Sequence, residues 1–324
     1  MGLLVDGVWQ DDTSRTKDGH YIRATTSFRN WITPDGSSGP SGEGGFAAKP
    51  GRYHLYVSLA CPWAHRTIIF RKLKGLEDLI SLSVVSPDML KDGWTFDTAA
   101  GSTGDKINGK SKLSEIYVLA KPNYTGRVSV PVLWDKERKT IVNNESSEII
   151  RMFNTAFDAL TGVRTDYYPK HLRAEIDRIN ALVYTNINNG VYRAGFATTQ
   201  AAYEEAFRNL FDALDEIEQT LDRQRYVAGD AITEADWRLF VTLIRFDAVY
   251  YSHFKCNWRH ISDFPNLSNY TRELYQVPGV AETVNFAQIK RHYYHSQRQV
   301  NPTGIVPLGP QLDFTAPHNR GRLA

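Results

Sequence analysis

Cysteine is scarce in this chain, with only Cys61 and Cys256 among 324 residues. Two cysteines cannot form a disulfide framework, and neither stands at metal-ligand spacing. Such usage suits a reducing compartment. An excess of charge of one sign is also missing: 38 basic and 36 acidic side chains leave a net charge of +2. No strong field is available to attract nucleic acid or an anionic membrane. No apolar run reaches the roughly 18 residues needed to span a bilayer, and the N-terminal residues lack the charged-then-apolar pattern of a secretion signal. The expectation is a soluble, cytoplasmic protein with no nucleic-acid or membrane partner. Aromatics are plentiful, with Trp 7, Tyr 17 and Phe 15. They suit a large core or an aromatic-lined pocket, and the length allows two domains.

The most informative stretch runs from Tyr53 to Phe70. Tyr53 to Ser58 alternates and is rich in aromatic and β-branched residues, as a strand is. Leu59 and Ala60 make a short turn. Pro62 fits the first turn of a helix, where its missing N–H is not needed, and Ile68, Ile69, Lys72 and Leu73 continue at helical spacing. Cys61 therefore falls at the helix N-terminus, where backbone N–H groups and the helix dipole favour a thiolate. The position three residues on is Ala64, so an internal Cys-x-x-Cys disulfide is impossible. Any redox cycle at Cys61 must be resolved by an external thiol.

Before this stretch, residues 1–30 read as an extended, partly ordered arm around Trp9 and Phe28, with Trp31 just beyond. Residues 33–51 are a Gly/Pro/Ser-rich loop. After it, Gly75 stops the helix and Leu79–Val85 reads as a second strand, completing a β-α-β unit. Residues 87–125 form a long insertion carrying Gly93-Trp94 and a short helix at Leu113–Leu119; an insertion of this length is usually functional. Val128–Trp134 reads as a third strand bearing Pro131, and Thr140–Val142 as a return strand. A helix capped from Asn144 to Ser147 then follows. From about residue 169 the pattern is helical throughout. Ile176, Ile179 and Val183 mark one helix, which Asn188–Gly195 is expected to interrupt. Phe207 to Leu221 mark another. Thr233-Glu-Ala-Asp236 resembles a capping box opening a third. Further helices are expected near 267–276 and 281–292, then an extended tail from Asn301. The expected domains are an arm and loop (1–50), an α/β domain (51–160), an all-helical domain (161–300) and a tail (301–324).

This order, with a cysteine leading the first helix, resembles the glutathione transferase superfamily. Cys61-Pro-Trp-Ala-His-Arg66, Gly93-Trp94, Arg127–Pro131, Asn144–Glu148, Asn189–Phe196, His292–Ser296 and Asn301–Pro307 narrow the resemblance to the glutathionyl-hydroquinone reductases, the Xi class. It covers the chain from about Trp31 onward. The resemblance implies a thioredoxin-like α/β domain followed by an all-α domain. It implies glutathione as co-substrate, with neither a metal nor a nicotinamide, and a homodimer.

Residue by residue, it places the catalytic thiol at Cys61 and glutathione-binding groups at Trp94, Arg127, Val130, Glu145 and Ser146. An arginine can pair with a peptide carboxylate. A cis bond after Val130 would turn its backbone toward the cysteinyl part of glutathione. Glu145 can answer an α-ammonium, while the Ser146 hydroxyl and a helix start answer an α-carboxylate. Tyr192 and one of Tyr293 or Tyr294, preferably Tyr293, correspond to the tyrosines that receive the hydroquinone. His65 and Arg66 are expected to be structural or to face the neighbouring domain, and Cys256 to be structural. The implied reaction is reduction of a glutathionyl-hydroquinone through a Cys61–glutathione mixed disulfide. Two alternatives are an omega-like thioltransferase or dehydroascorbate reductase, and a non-catalytic ligand-binding module.

Overall fold

A computed structural model describes residues 2–11 and 16–323. The chain divides into two compact units. The first is built mainly from Ala24–Thr165, with an N-terminal hairpin and the helical segment Ala287–His292. The second is built from Asp166–Phe286 and Tyr293–Ala324, with a second short N-terminal hairpin.

The first unit centres on a four-stranded sheet in the order β6-β5-β8-β9. Strand β5 (Tyr53–Val57) pairs in parallel with β6 (Ile80–Val84) and antiparallel with β8 (Val132–Asp135), which pairs with β9 (Thr140–Asn143). Every residue of β5 is buried, which is why its apolar and aromatic residues run almost without interruption. Helix α1 (Pro62–Leu73) connects β5 to β6 and packs against α3 (Ser146–Thr155). Ile68, Ile69 and Phe70 are all buried, each contributing about 1.5–3 kcal/mol relative to exposure. Helix α2 (Leu113–Ala120) lies in the long insertion, and the short α4 (Asp158–Thr161) follows α3.

Two expectations for this unit need correction. The third strand does not run through Pro131. Sheet pairing begins at Val132, and the bond before Pro131 is cis; proline has no N–H to give a ladder. Gly126–Arg127 instead forms a separate strand, β7, in a second sheet of order β2-β1-β7. Its partners come from the N-terminal arm, where Leu3–Val5 (β1) and Val8–Gln10 (β2) form a hairpin. The arm thus contains regular structure among its described residues. It turns at Asp6-Gly7, both with positive φ, the dipeptide that hairpin turns favour. A second hairpin, β3 (Thr16–Lys17) with β4 (His20–Tyr21), belongs to the other unit.

The second unit is helical: α5 (Arg173–Leu182), α6 (Gly190–Gly195), α7 (Gln200–Arg223), α8 (Glu234–Arg245), α9 (Tyr251–His253), α10 (Pro265–Tyr275) and α11 (Phe286–Ser296), the last shared with the first unit. The apolar stripe read on α7 is buried at Leu210, Phe211, Leu214, Ile217 and Leu221. Asn188–Gly195 does not break the preceding helix. The chain stays helical through a π-helical Val183–Asn188 into α6. Asn188 turns inward and donates to the Arg238 carbonyl (2.9 Å) and Thr242 Oγ1 (2.7 Å), so tertiary partners override a turn-forming residue. Among the described residues no helix is long and apolar enough to cross a membrane.

The capping box of α8 forms as the sequence indicates. Thr233 N–H donates to Asp236 Oδ2 at 2.7 Å, and Thr233 Oγ1 accepts from Ala235 N–H at 3.3 Å. Asp236 also accepts from Val227 N–H (3.0 Å) and the Tyr270 hydroxyl (2.7 Å). Thr233→Ala should lower unfolding stability by about 1 kcal/mol. Asp236→Ala should cost more, because it strands four buried donors, the Thr233 hydroxyl among them; urea unfolding of both variants measures the difference.

Buried His253 adds a pH dependence. Burial lowers its pKa to about 4, although Gln297 at 2.9 Å opposes the shift. The unfolded ring titrates near about 6.5, so below that pH the unfolded chain binds a proton that the folded chain does not. The stability contribution is complete above pH ~6.5 and is lost progressively as pH falls toward 4. His253→Gln should flatten the decline in unfolding midpoint over that window.

Candidate active site

Cys61 occupies the N-cap of α1 with extended backbone angles (φ −74°, ψ 122°), and Pro62 follows inside the helix. The Cys61 carbonyl accepts from His65 N–H at 3.0 Å, closing the first helical turn. The Cys61 side chain makes no cap hydrogen bond. Its half-buried thiol donates to the Val130 carbonyl at 3.6 Å. Val130, the residue before the cis proline, is itself buried. The structure therefore brings together Cys61 and Val130, which lie 69 positions apart in the chain.

The start of α3 forms a second group. Glu145 is the N-cap, and its carboxylate accepts from Ser147 N–H (3.2 Å), the Ser147 hydroxyl (2.9 Å) and the Thr26 hydroxyl (3.2 Å). Glu145 therefore caps the helix, yet remains half-buried at its mouth. Buried Ser146 accepts from the Arg66 guanidinium at 3.4 Å. Arg66 is itself 1% exposed and lies 4.5 Å over the Trp63 ring. Arg66 thus serves its own unit at the start of α3. A helix from Cys61 to Leu73 directs residue 66 away from residue 61, and only the fold places α3 beside it. Buried cation, serine hydroxyl and helix N-terminus together make a place suited to a carboxylate.

Trp94 and Arg127 stand on two further segments. Trp94 is buried and stacks flat on His292, with ring centroids 4.8 Å apart and planes at 19°. His292 Nδ1 is 2.9 Å from the Pro87 carbonyl. Arg127 is half-buried in β7, opposite Leu3 of the arm. His292 opens the His292–Ser296 motif that holds the paired tyrosines, but nothing in its spacing shows the stack.

The second unit holds an aromatic cluster. The Tyr192 and Tyr293 hydroxyls are 2.5 Å apart, and the Tyr250 hydroxyl is 3.0 Å from that of Tyr293. Tyr294 turns elsewhere, to Ser252 and the Ala248 carbonyl. Tyr293, not Tyr294, is therefore the partner of Tyr192. Phe254 packs 5.4 Å from the Tyr192 ring, and Tyr21 of the arm stacks on it at 6.3 Å. Sequence reasoning missed Tyr21, Tyr250 and Phe254, which lie outside any motif. Burial, reinforced by Tyr192 and Tyr250, pushes the Tyr293 phenol well above its ordinary pKa, although Arg245 opposes the shift. Tyr293 is therefore a neutral hydrogen-bonding group at physiological pH. Among the described residues no group of three or more His, Cys, Asp or Glu side chains is arranged to hold a metal ion.

A thioredoxin-like sheet whose first helix is led by a cysteine, in a chain that continues into a mainly helical unit, defines the glutathione transferase fold. Family models agree: the glutathione S-transferase N-terminal domain matches residues 60–156 and the C-terminal domain residues 200–273. Glutathionyl-hydroquinone reductase YqjG of Escherichia coli K12 is 56% identical over 323 residues, covering 99% of this chain and 98% of that protein. Glutathionyl-hydroquinone reductase PcpF of Sphingobium chlorophenolicum is 53% identical over 312 residues, 96% of each. The glutathione-bound structure of YqjG superposes with a TM-score of 0.93 at 55% identity over 99% of both chains. A Xi class transferase from Natrialba magadii gives 0.91 at 50% identity, over 100% of this chain and 98% of that one. The chain belongs to the glutathione transferase family and, within it, to the Xi-class glutathionyl-hydroquinone reductases.

The two cysteines should differ in reactivity. Cys256 is completely buried, and desolvation pushes its thiol pKa up, whereas Cys61 is partly accessible. Brief iodoacetamide treatment of the folded protein should add one carbamidomethyl group, at Cys61. The second should appear only after unfolding, as intact mass and peptide mapping would show.

Proposed function

We propose that this enzyme reduces glutathionyl-hydroquinones to hydroquinones at the expense of glutathione, with Cys61 as nucleophile. The observation that carries the reading is the Cys61 thiol at the start of α1, 3.6 Å from the Val130 carbonyl, in a chain that matches reductases of this name along its length.

In the first step the Cys61 thiolate attacks the sulfur of the substrate's glutathionyl group. A Cys61–glutathione disulfide forms as the sulfur–aryl bond breaks. The electron pair of that bond goes to the ring carbon, which takes a proton, and the hydroquinone leaves. In the second step the thiolate of another glutathione attacks the mixed disulfide, releasing glutathione disulfide and restoring Cys61. The substrate's thioether sulfur and the thiol of one glutathione thus become one disulfide while the aryl carbon gains two electrons and a proton, and the covalent intermediate divides the task into two exchanges. Ala64, where a Cys-x-x-Cys motif would carry its second thiol, is consistent with external resolution.

The residues have separate roles in this proposal. Val130 pairs through its backbone with the cysteinyl part of glutathione. Glu145 meets the γ-glutamyl ammonium, and Ser146, backed by Arg66, meets its carboxylate. Trp94 and Arg127 hold the remaining peptide portion. Tyr192 and Tyr293 receive the quinol oxygens, a role that suits neutral phenols within an aromatic cluster. The proposal extends to a cytoplasmic homodimer that needs neither metal nor nicotinamide, as the family resemblance implies.

The test is intact-protein mass after mixing with a glutathionyl-hydroquinone and no added glutathione. Wild type should gain one glutathione and release one equivalent of hydroquinone, whereas Cys61→Ser should do neither. An adduct from glutathione disulfide but none from the conjugate would instead indicate a thioltransferase. Tyr192→Phe and Tyr293→Phe should each lower quinol reduction by about tenfold or more while sparing reduction of a small mixed disulfide.

A further inference from the structure

The first hairpin of the N-terminal arm touches both segments that carry Trp94 and Arg127. Strand β7 is only two residues long, and among the described residues its one strand neighbour is β1. Leu3 lies opposite Arg127, and Leu4 opposite Gly126. The hairpin turn adds two bonds just before β7: Asp6 N–H donates to Thr125 Oγ1 (2.9 Å), and Gly7 N–H to the Tyr124 carbonyl (3.0 Å). An isolated pair of extended residues has little stability of its own, so the hairpin supplies the backbone partner that fixes Arg127.

The other strand of the hairpin holds the tryptophan loop. Trp9 Nε1–H donates to the Lys91 carbonyl at 2.9 Å. Its ring lies over Gly93, where an added Cβ would come within 2.6 Å of the ring. Gly93 also has φ +67°, so glycine meets both demands immediately before Trp94. The hairpin contributes little to the core: Leu4 is buried, but Val5 and Val8 are 40% and 61% exposed. Its bonding is concentrated on the two site-bearing segments.

We propose that the hairpin Leu3–Gln10 is a positioning element for glutathione, with Trp9 setting the Trp94 loop and β1 setting the Arg127 strand. This rests on the reading of Trp94 and Arg127 as glutathione-binding residues. Trp9 acts through them and does not itself touch the substrate.

The test compares Trp9→Ala, Trp9→Phe and Arg127→Gln in the full chain, measuring kcat, KM for glutathione and thermal unfolding. A parallel titration of glutathione uses each change in the Cys61→Ser background. Trp9→Ala should raise KM and Kd for glutathione by about tenfold, with kcat within about twofold of wild type. Trp9→Phe keeps the ring over Gly93 and should recover most of that loss. Arg127→Gln should weaken glutathione at least as much. Unchanged glutathione affinity in Trp9→Ala beside a weakened Arg127→Gln would overturn the hairpin's role and leave the glutathione site standing. Unchanged affinity in both would overturn both readings. A Trp9→Ala protein that loses only thermal stability and kcat would show a structural strand and nothing more.

Discussion

The first turn of every helix leaves backbone N–H groups without intrahelical partners, and this protein answers that constraint in three different ways. At α8 the answer is internal: Thr233 and Asp236 close a reciprocal box that also engages Val227 and Tyr270. At α3 the Glu145 side chain caps the helix while standing at its exposed mouth, with Ser146 behind it on Arg66. At α1, Pro62 removes one donor, and the Cys61 side chain takes no part in capping. The helix start is thus closed by a reciprocal box at α8 and by a single carboxylate at α3, while the Cys61 side chain takes no part in capping α1.

Buried cations do a second kind of organising work. Lys74 is almost fully buried and donates to the carbonyls of Val163 (2.9 Å) and Thr165 (2.7 Å), with Asp158 at 3.0 Å. Arg320 reaches from the C-terminal tail to the carbonyls of Leu221, Gln224 and Arg225 at 2.6–2.7 Å, at the end of α7. Both fix irregular segments that have little apolar surface to bury. A buried charge is costly to strand, so such segments have one well-defined place. Arg66 belongs to this group, and its position makes a structural cation part of the electrostatics around Ser146.

Much of the architecture was legible because short-range physics dictates it. The aromatic and β-branched residues of Tyr53–Ser58, Pro62 after Cys61, the 3–4 spacing along α7 and the Thr233–Asp236 box each express one local rule, and each element formed. The expectations that failed did so for different physical reasons. Pro131 and the bond before it moved the start of a strand to Val132. Asn188 found partners on α8 and kept the helix going. Residues 3–10 carry a local hairpin signal, apolar residues on either side of Asp6-Gly7, which the reading as an extended arm passed over, and β7 adds an edge to pair with.

The sequence alone determined the order of the central sheet's strands and of the principal helices, the lack of a second thiol at position 64 and, through motifs matched to known relatives, the family. A helix-leading cysteine and turn chemistry depend on neighbours within a few residues. Tertiary structure alone decided which groups meet: Cys61 with Val130, Arg66 with Ser146, Trp94 with His292, and Tyr293 instead of Tyr294 with Tyr192. Those choices depend on how sheet, loops and helices close over one another. Contacts between residues tens of positions apart leave no periodic trace in the chain, so no spacing rule could have paired them.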